Sequence, residues 1–209
     1  MIDLVIRVLF IGNSLTAAND LPATVQALAA AAGVRVEYSA LVKPNVSLED
    51  HWNDGEARRA IERGRWTFVV LQQGPSALPE SQVLLLEYTR RFDRVIRAAG
   101  ARPAMYMVWP SRARASDAAG VGRSYSAAAR AVDAVLCPAG DAWQAAWRTD
   151  PDLPLYGADA FHPSPLGSTL AAMAIVEALT GRTVSGTALQ SFPAAQRNVL
   201  LAAAASVRR

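Results

Sequence analysis

Residues 4–15 read Leu-Val-Ile-Arg-Val-Leu-Phe-Ile-Gly-Asn-Ser-Leu, an apolar and largely β-branched run that ends in a turn sequence. Such a run predicts a buried β-strand over residues 4–11, and the Gly-Asn-Ser that follows predicts a sharp turn. Ser14 has two interpretations at this point: a residue that caps the next element, or a nucleophile exposed at the end of a strand. The stretch alone does not decide between them.

The same strand-then-helix pattern repeats along the chain. The other predicted strands are residues 34–41, 66–71, 103–109 and 134–137, and the predicted helices are residues 20–32, 50–63, 79–99, 123–132, 142–148, 165–179 and 194–207. Alternation of this kind is typical of βαβ units. The sequence therefore predicts one α/β domain over residues 1–209, a three-layer α/β/α sandwich with a five-stranded parallel sheet of flavodoxin-like kind. In such sheets ligands bind at the carboxyl ends of the strands.

The composition argues against a nucleic-acid-binding protein and against a protein stabilised by intramolecular disulfides. The 209 residues are 52% hydrophobic and carry a formal charge of +3, with twenty arginines spread along the chain and one lysine. This mild charge does not favour nucleic acid as a partner. The single cysteine, Cys137, cannot form an intramolecular disulfide and is interpreted as a buried, inert thiol rather than a catalytic one.

The chain contains no apolar run of the roughly 18 residues that a membrane span needs. Residues 4–11 are interrupted by Arg7 and are followed by no cleavage site typical of signal peptides. The expected location is cytoplasmic for the chain as it stands, and secreted or periplasmic if a leader has been removed. The oligomeric state is left open.

Histidine is scarce, so a mechanism that needs an imidazole base must use His51 or His162. His162 stands three residues after Asp159 in an irregular segment before a helix. This spacing allows the Asp159 carboxylate to contact Nδ1 while Nε2 points outward, as an oriented general base requires. Ser14, His162 and Asp159 together would make an acyl-transfer enzyme. The alternative is a turn in which the Asp159 side chain accepts backbone hydrogen bonds.

Gly12-Asn13-Ser14-Leu15 near the start and Asp159-Ala160-Phe161-His162 near the end resemble the first and last sequence blocks of the SGNH hydrolases, also called the GDSL esterase family. The resemblance spans nearly the whole chain in the right order and implies a compact α/β/α sandwich. It also implies that Ser14 is the nucleophile, His162 the base and Asp159 the residue that orients the base.

The middle blocks of the family match less well. Asn45 is the best match to the glycine whose backbone N–H helps to form the oxyanion hole beside the N–H of Ser14. The third block normally supplies an Asn side chain, whereas this chain has Gln72 and Gln73, either of which is expected to donate through its amide. The pair Gln73-Gly74 resembles the third block of the carbohydrate acetylesterase branch.

Other polar and aromatic residues follow strand ends at the same edge. Trp109 and Ser76 are predicted to contact substrate, with core or rim packing as the alternative for Trp109. His51 is interpreted as a packing or hydrogen-bonding residue rather than a catalytic one. No metal and no cofactor is expected.

The predicted function is a serine esterase that hydrolyses short-chain acyl esters, acetyl esters on carbohydrates among them, through an acyl-enzyme. Its partner is then a small-molecule ester or acylated carbohydrate. The alternatives are a non-catalytic ligand- or carbohydrate-binding domain on the same fold, and an acyltransferase.

Overall fold

Five parallel strands form the centre of the protein in a computed structural model that describes residues 5–208. They are β1 (Ile6–Gly12), β2 (Val36–Val42), β3 (Phe68–Leu71), β4 (Arg102–Tyr106) and β5 (Val135–Cys137). Their order in the sheet is β2-β1-β3-β4-β5. The predicted fold class is confirmed. Leu4, the predicted first residue of β1, lies outside the described residues.

Nine α-helices connect and cover these strands within residues 5–208. They are α1 (Ser14–Ala17), α2 (Leu21–Ala31), α3 (Leu48–Asp54), α4 (Glu56–Arg63), α5 (Pro79–Ala98), α6 (Ala118–Ala131), α7 (Ala139–Thr149), α8 (Pro165–Thr180) and α9 (Ala194–Ser206). Helices α2, α7 and α8 pack together as one layer, and α3, α5 and α6 as the other. None of the described helices combines the length and the apolar character needed to cross a bilayer.

The burial of each strand follows from its place in the sheet. The central strands β1 and β3 are covered on both faces, and residues 8–11 and 69–71 are at most 1% exposed. Strands of this kind read as continuous apolar runs, which is why β1 could be recognised from sequence. Cys137 at the end of β5 is also fully buried, and burial raises the pKa of its thiol to about 12. The prediction of a buried thiol is confirmed.

One predicted helix is two helices in the structure. The sequence predicts one continuous helix over residues 50–63, but in the structure Gly55, whose φ is 78°, separates α3 from α4. A left-handed residue ends an α-helix. Helix α3 starts earlier than predicted because Ser47 and Asp50 form a capping box, in which each side chain bonds the other residue's backbone N–H.

Candidate active site

The turn that carries Ser14 begins where β1 ends. Asn13 is the N-cap of α1, and its Oδ1 accepts a hydrogen bond from the N–H of Leu15 at 3.1 Å. Ser14 is the first residue of that helix. Its N–H therefore has no hydrogen-bond partner within the helix. Within residues 5–208 this N–H has no hydrogen-bond partner. The turn therefore presents the hydroxyl and a free N–H of the same residue.

His162 lies on the loop between α7 and α8, residues 150–164. The loop is closed at its base by a bridge between Tyr156 and Pro163, and by a bond from the N–H of Gly157 to the His162 carbonyl at 2.7 Å. Ala160 adopts a left-handed conformation with φ 58°, which costs an alanine about 1–2 kcal/mol. This strained residue stands between Asp159 and His162, whose side chains meet.

The three predicted catalytic residues form one hydrogen-bonded chain. His162 Nε2 lies 2.8 Å from Ser14 Oγ, and His162 Nδ1 lies 2.5 Å from Asp159 Oδ2. Because a carboxylate can only accept, the imidazole proton resides on Nδ1. In neutral His162, Nε2 then accepts a hydrogen bond from the Ser14 hydroxyl. The arrangement has the geometry of a nucleophile, a general base and a group that orients the base.

The Asp159 carboxylate is held in its charged form. Its hydrogen bond with the His162 side chain, followed by bonds from the backbone N–H groups of Phe161 and His162, lowers its pKa to about 2. Those N–H groups donate to Oδ1 at 3.1 and 2.9 Å. The side chain is 53% exposed, so solvent screens the pair. Asp159 both orients the imidazole and shapes its own loop.

The loop after β2 approaches the nucleophile turn. Asn45 has φ 57°, in agreement with the expectation that an asparagine replaces glycine in a left-handed position there. Asn13 Nδ2 donates to the carbonyl of Val46 at 3.1 Å and so attaches this loop to the Ser14 turn. The N–H of Asn45 has no partner in the described part of the chain.

The contacts of Gln72 and Gln73 correct the prediction that one of these amides donates to an oxyanion. Gln72 Nε2 donates to Asn13 Oδ1 and to the Gln73 carbonyl, and Gln73 Nε2 donates to Ser76 Oγ and to the Ser81 carbonyl. Each amide has two N–H groups, so all four are occupied. Both side chains are also at least 95% buried. Their amides hold loops together instead of facing a ligand.

Trp109 and Ser76 are likewise not substrate-contacting residues in the structure, because both are 1% exposed. The Trp109 ring stacks on Trp143 with a centroid distance of 3.5 Å, and its Nε1 donates to the Phe161 carbonyl at 3.2 Å. Trp109 therefore supports the loop that carries His162. Ser76 Oγ donates to the Gly74 carbonyl at 3.0 Å.

His51 has the structural role expected of it. Its side chain is 3% exposed, and Nε2 lies 2.8 Å from the carbonyl oxygen of Gly12. Since a carbonyl only accepts, Nε2 carries the proton there. His51 thus fixes the last carbonyl of β1, two residues before Ser14.

Sequence reasoning missed Asn19. This residue follows α1 with φ 53°, and its Nδ2 donates to the Pro163 carbonyl and to Ser168 Oγ, both at 2.9 Å. It joins the nucleophile side of the site to the segment beside His162. No local pattern marks it, because its partners are more than 140 positions away along the chain.

Replacing Trp109 by phenylalanine tests its supporting role. The indole N–H bond to Phe161 and part of the stack on Trp143 are lost, so we expect the free energy of unfolding to fall by about 1–2 kcal/mol. The ratio of rates on acetyl and butyryl esters should not change, because the ring is buried away from substrate. Trp66→Phe removes a similar indole bond, to the Ala60 carbonyl, and serves as the control. A change in chain-length preference in Trp109→Phe would contradict this assignment.

Comparison with known proteins gives structural matches only. No protein-family model and no curated protein matches the chain. A protein assigned to the SGNH hydrolases from Slackia heliotrinireducens is 29% identical, with a TM-score of 0.70 over 84% of this chain and 100% of that one. A DUF4886 family protein from Bacteroides uniformis is 21% identical, with a TM-score of 0.80 over 97% and 94% of the two chains.

An acetyl xylan esterase from Geobacillus stearothermophilus shares the fold at 12% identity, with a TM-score of 0.62 over 86% of this chain and 96% of that one. The predicted resemblance thus extends to the whole fold, and at 29% identity it extends to the sequence of one such protein. By its strand order, its two end motifs and these structural matches, the chain is similar to the SGNH, or GDSL-type, hydrolases.

Proposed function

We propose that this protein is a serine esterase that works through a covalent acyl-enzyme. The observation that carries the proposal is the continuous chain from Ser14 Oγ through the His162 imidazole to the Asp159 carboxylate, with distances of 2.8 and 2.5 Å. These contacts lie at the carboxyl end of the sheet, where ligands bind in open α/β folds. Structural neighbours that are hydrolases support the same general activity.

In the first half of the reaction, Ser14 Oγ attacks the ester carbonyl and its proton passes to His162 Nε2. The Asp159 carboxylate stabilises the imidazolium that forms. The tetrahedral intermediate then collapses, the bond to the alcohol breaks, and His162 donates its proton to the departing alkoxide. In the second half a water molecule takes the place of the alcohol, with His162 as its general base, and the acid is released.

Backbone N–H groups are proposed to stabilise the oxyanion. Those of Ser14 and Asn45 are without partners in the described chain, as is that of Gly74 in the loop that follows β3. Gly74 replaces the glutamine side chains as the third candidate, because its N–H does not have to break an existing bond. Each donor of this kind is worth about 100-fold or more in rate.

Short acyl esters, including acetyl esters on carbohydrates, are the proposed substrates. The His162 side chain is 37% exposed, so the base lies near the surface rather than at the bottom of a deep channel. One enzyme among the structural neighbours, represented by several variants, is described as an acetyl xylan or acetyl-xylooligosaccharide esterase. Transfer of the acyl group to an alcohol or sugar is the second candidate, since an open site admits acceptors other than water.

A fluorophosphonate probe and a panel of p-nitrophenyl esters test the proposal together. We expect the probe to label Ser14 and the acetyl ester to be hydrolysed faster than long-chain esters. A non-catalytic binding domain would remain unlabelled and inactive, and that result would refute the esterase. Analysis of products in the presence of sugar acceptors separates hydrolysis from transfer.

A further inference from the structure

Two buried side-chain amides, those of Asn13 and Gln72, join the loops that meet at Ser14. Gln72 Oε1 accepts from the N–H of Asn13 at 2.8 Å, and Gln72 Nε2 donates to Asn13 Oδ1 at 3.0 Å. Asn13 Nδ2 in turn donates to the Val46 carbonyl at 3.1 Å. The turn after β1, the loop after β2 and the end of β3 are therefore connected through side chains that are at least 92% buried.

The orientation of both amides is fixed by backbone groups that can either only donate or only accept a hydrogen bond. Gln72 faces the Asn13 N–H, which can only donate, and the Gln73 carbonyl, which can only accept. Asn13 faces the Leu15 N–H on one side and the Val46 carbonyl on the other. A flipped amide would bring like groups together at each contact. Each position needs a donor and an acceptor in one side chain.

Close packing leaves no room for the network to rearrange. A Cβ atom on Gly12 would lie 2.5 Å from both Gln72 Oε1 and Thr16 Oγ1. The Thr16 hydroxyl also donates to Gln72 Oε1, at 2.7 Å. The Gln72 amide is thus held directly beneath the turn that carries Ser14, and Gly12 is the residue that makes this approach possible.

We propose that Asn13 is a positioning residue that sets the spacing between the two backbone donors of the oxyanion hole, the N–H groups of Ser14 and Asn45. The inference rests on the proposed esterase function. Asn13 caps the helix that begins at Ser14, and the same side chain ties down the loop that contains Asn45. The amide is required because a carboxylate has no donor for the Val46 carbonyl.

Two variants separate the attachment of the loop from the other roles of Asn13. Asn13→Ser keeps a good N-cap for α1 but is too short to reach Val46, and it adds no charge. Asn13→Asp keeps the shape and the cap but loses the donor. Gln26→Glu is the matched control. Gln26 lies on α2, and its Nε2 likewise donates to a backbone carbonyl, that of Val36, at 2.8 Å.

The measurements are kcat and KM on p-nitrophenyl acetate, and the Ki of a short alkylboronic acid. Ser14 Oγ adds to the boron atom and its proton passes to His162, so the adduct resembles the tetrahedral intermediate. We expect both Asn13 variants to lose about 10- to 100-fold in kcat, with KM within about threefold of the parent. Ki should rise in the same proportion. Gln26→Glu should change neither kcat nor Ki.

Several outcomes would overturn the inference. A normal kcat and Ki in Asn13→Ser would do so. A loss of kcat in Asn13→Asp alone would assign the effect to charge. A lower kcat with unchanged boronate affinity would show that the oxyanion hole is not affected. Failure of both variants to fold would assign the amide to stability instead. An unmodified protein that neither hydrolyses esters nor reacts with fluorophosphonate would refute the proposed function itself, which is a separate result.

Discussion

Ser14→Ala should lower kcat for ester hydrolysis on the order of a millionfold, which is the loss seen when a serine nucleophile of this type is removed. The variant keeps the fold, since Ser14 is the first residue of α1 and Asn13 still caps that helix. His162 Nε2 then has no hydroxyl to deprotonate, and no acyl-enzyme forms. Single-turnover kinetics with p-nitrophenyl acetate, together with loss of fluorophosphonate labelling, measure the effect.

Ser39→Ala is the control for this experiment. Ser39 is an exposed residue of β2, away from the turn that follows β1, so its removal should leave both rate and labelling unchanged. If Ser14→Ala retained more than about one-thousandth of the parent rate, the nucleophile would have to be sought elsewhere, because binding and oxyanion stabilisation alone leave far less.

Asp159→Asn should lower kcat by about 10,000-fold, because the asparagine side chain stabilises the tautomer of His162 that cannot act as a base. The asparagine Oδ1 can still accept the two backbone N–H groups, those of Phe161 and His162, so the loop keeps its shape. Its Nδ2, however, donates to His162 Nδ1 and drives the proton to Nε2. That nitrogen then donates to Ser14 Oγ and cannot act as a base. Asp152→Asn, an exposed carboxylate in the preceding segment, is the control and should be active.

The pH dependence gives a second test of Asp159. Because its pKa is lowered to about 2, the carboxylate stays charged throughout the range in which the enzyme is assayed. The acid limb of kcat/KM should therefore show one ionisation and not two. The lowered pKa also means that the hydrogen bonds to this carboxylate stabilise the folded protein above about pH 4 and that this contribution is lost as the pH falls towards 2. An acid limb with a slope of two would contradict the assignment.

The fold was predictable because its strands differ sharply from its helices in sequence. All five strands were recognised, since β1 and β3 are buried on both faces and consist of continuous apolar residues. The ends were harder to predict. The strand predicted over residues 103–109 stops at Tyr106, because its neighbour β5 ends at Cys137 and the Met107 carbonyl accepts from the Gly140 N–H of α7. Helix α6 begins at Ala118, whereas the sequence predicts a later start, because Gly120 and Gly122 lower the helix propensity of its first turn.

Residues of the candidate site could be predicted only where they belong to a recognisable sequence motif. Ser14, Asp159 and His162 stand in two recognisable blocks, and the structure brings their side chains together. The roles of Gln72 and Trp109 depend instead on partners far away in sequence, such as Asn13 and Phe161. An amide at the end of a strand looks the same in sequence whether it faces a ligand or a buried carbonyl.

The long separation between Ser14 and His162, 148 positions along the chain, has a consequence for synthesis on the ribosome. The nucleophile emerges early, while its base emerges only after all five strands. A nascent polypeptide that stops before residue 162 therefore carries an unactivated serine, however well its sheet has folded. If the proposed mechanism holds, hydrolysis needs the His162 segment in place beside the Ser14 turn, so truncated translation products that lack it should be catalytically silent.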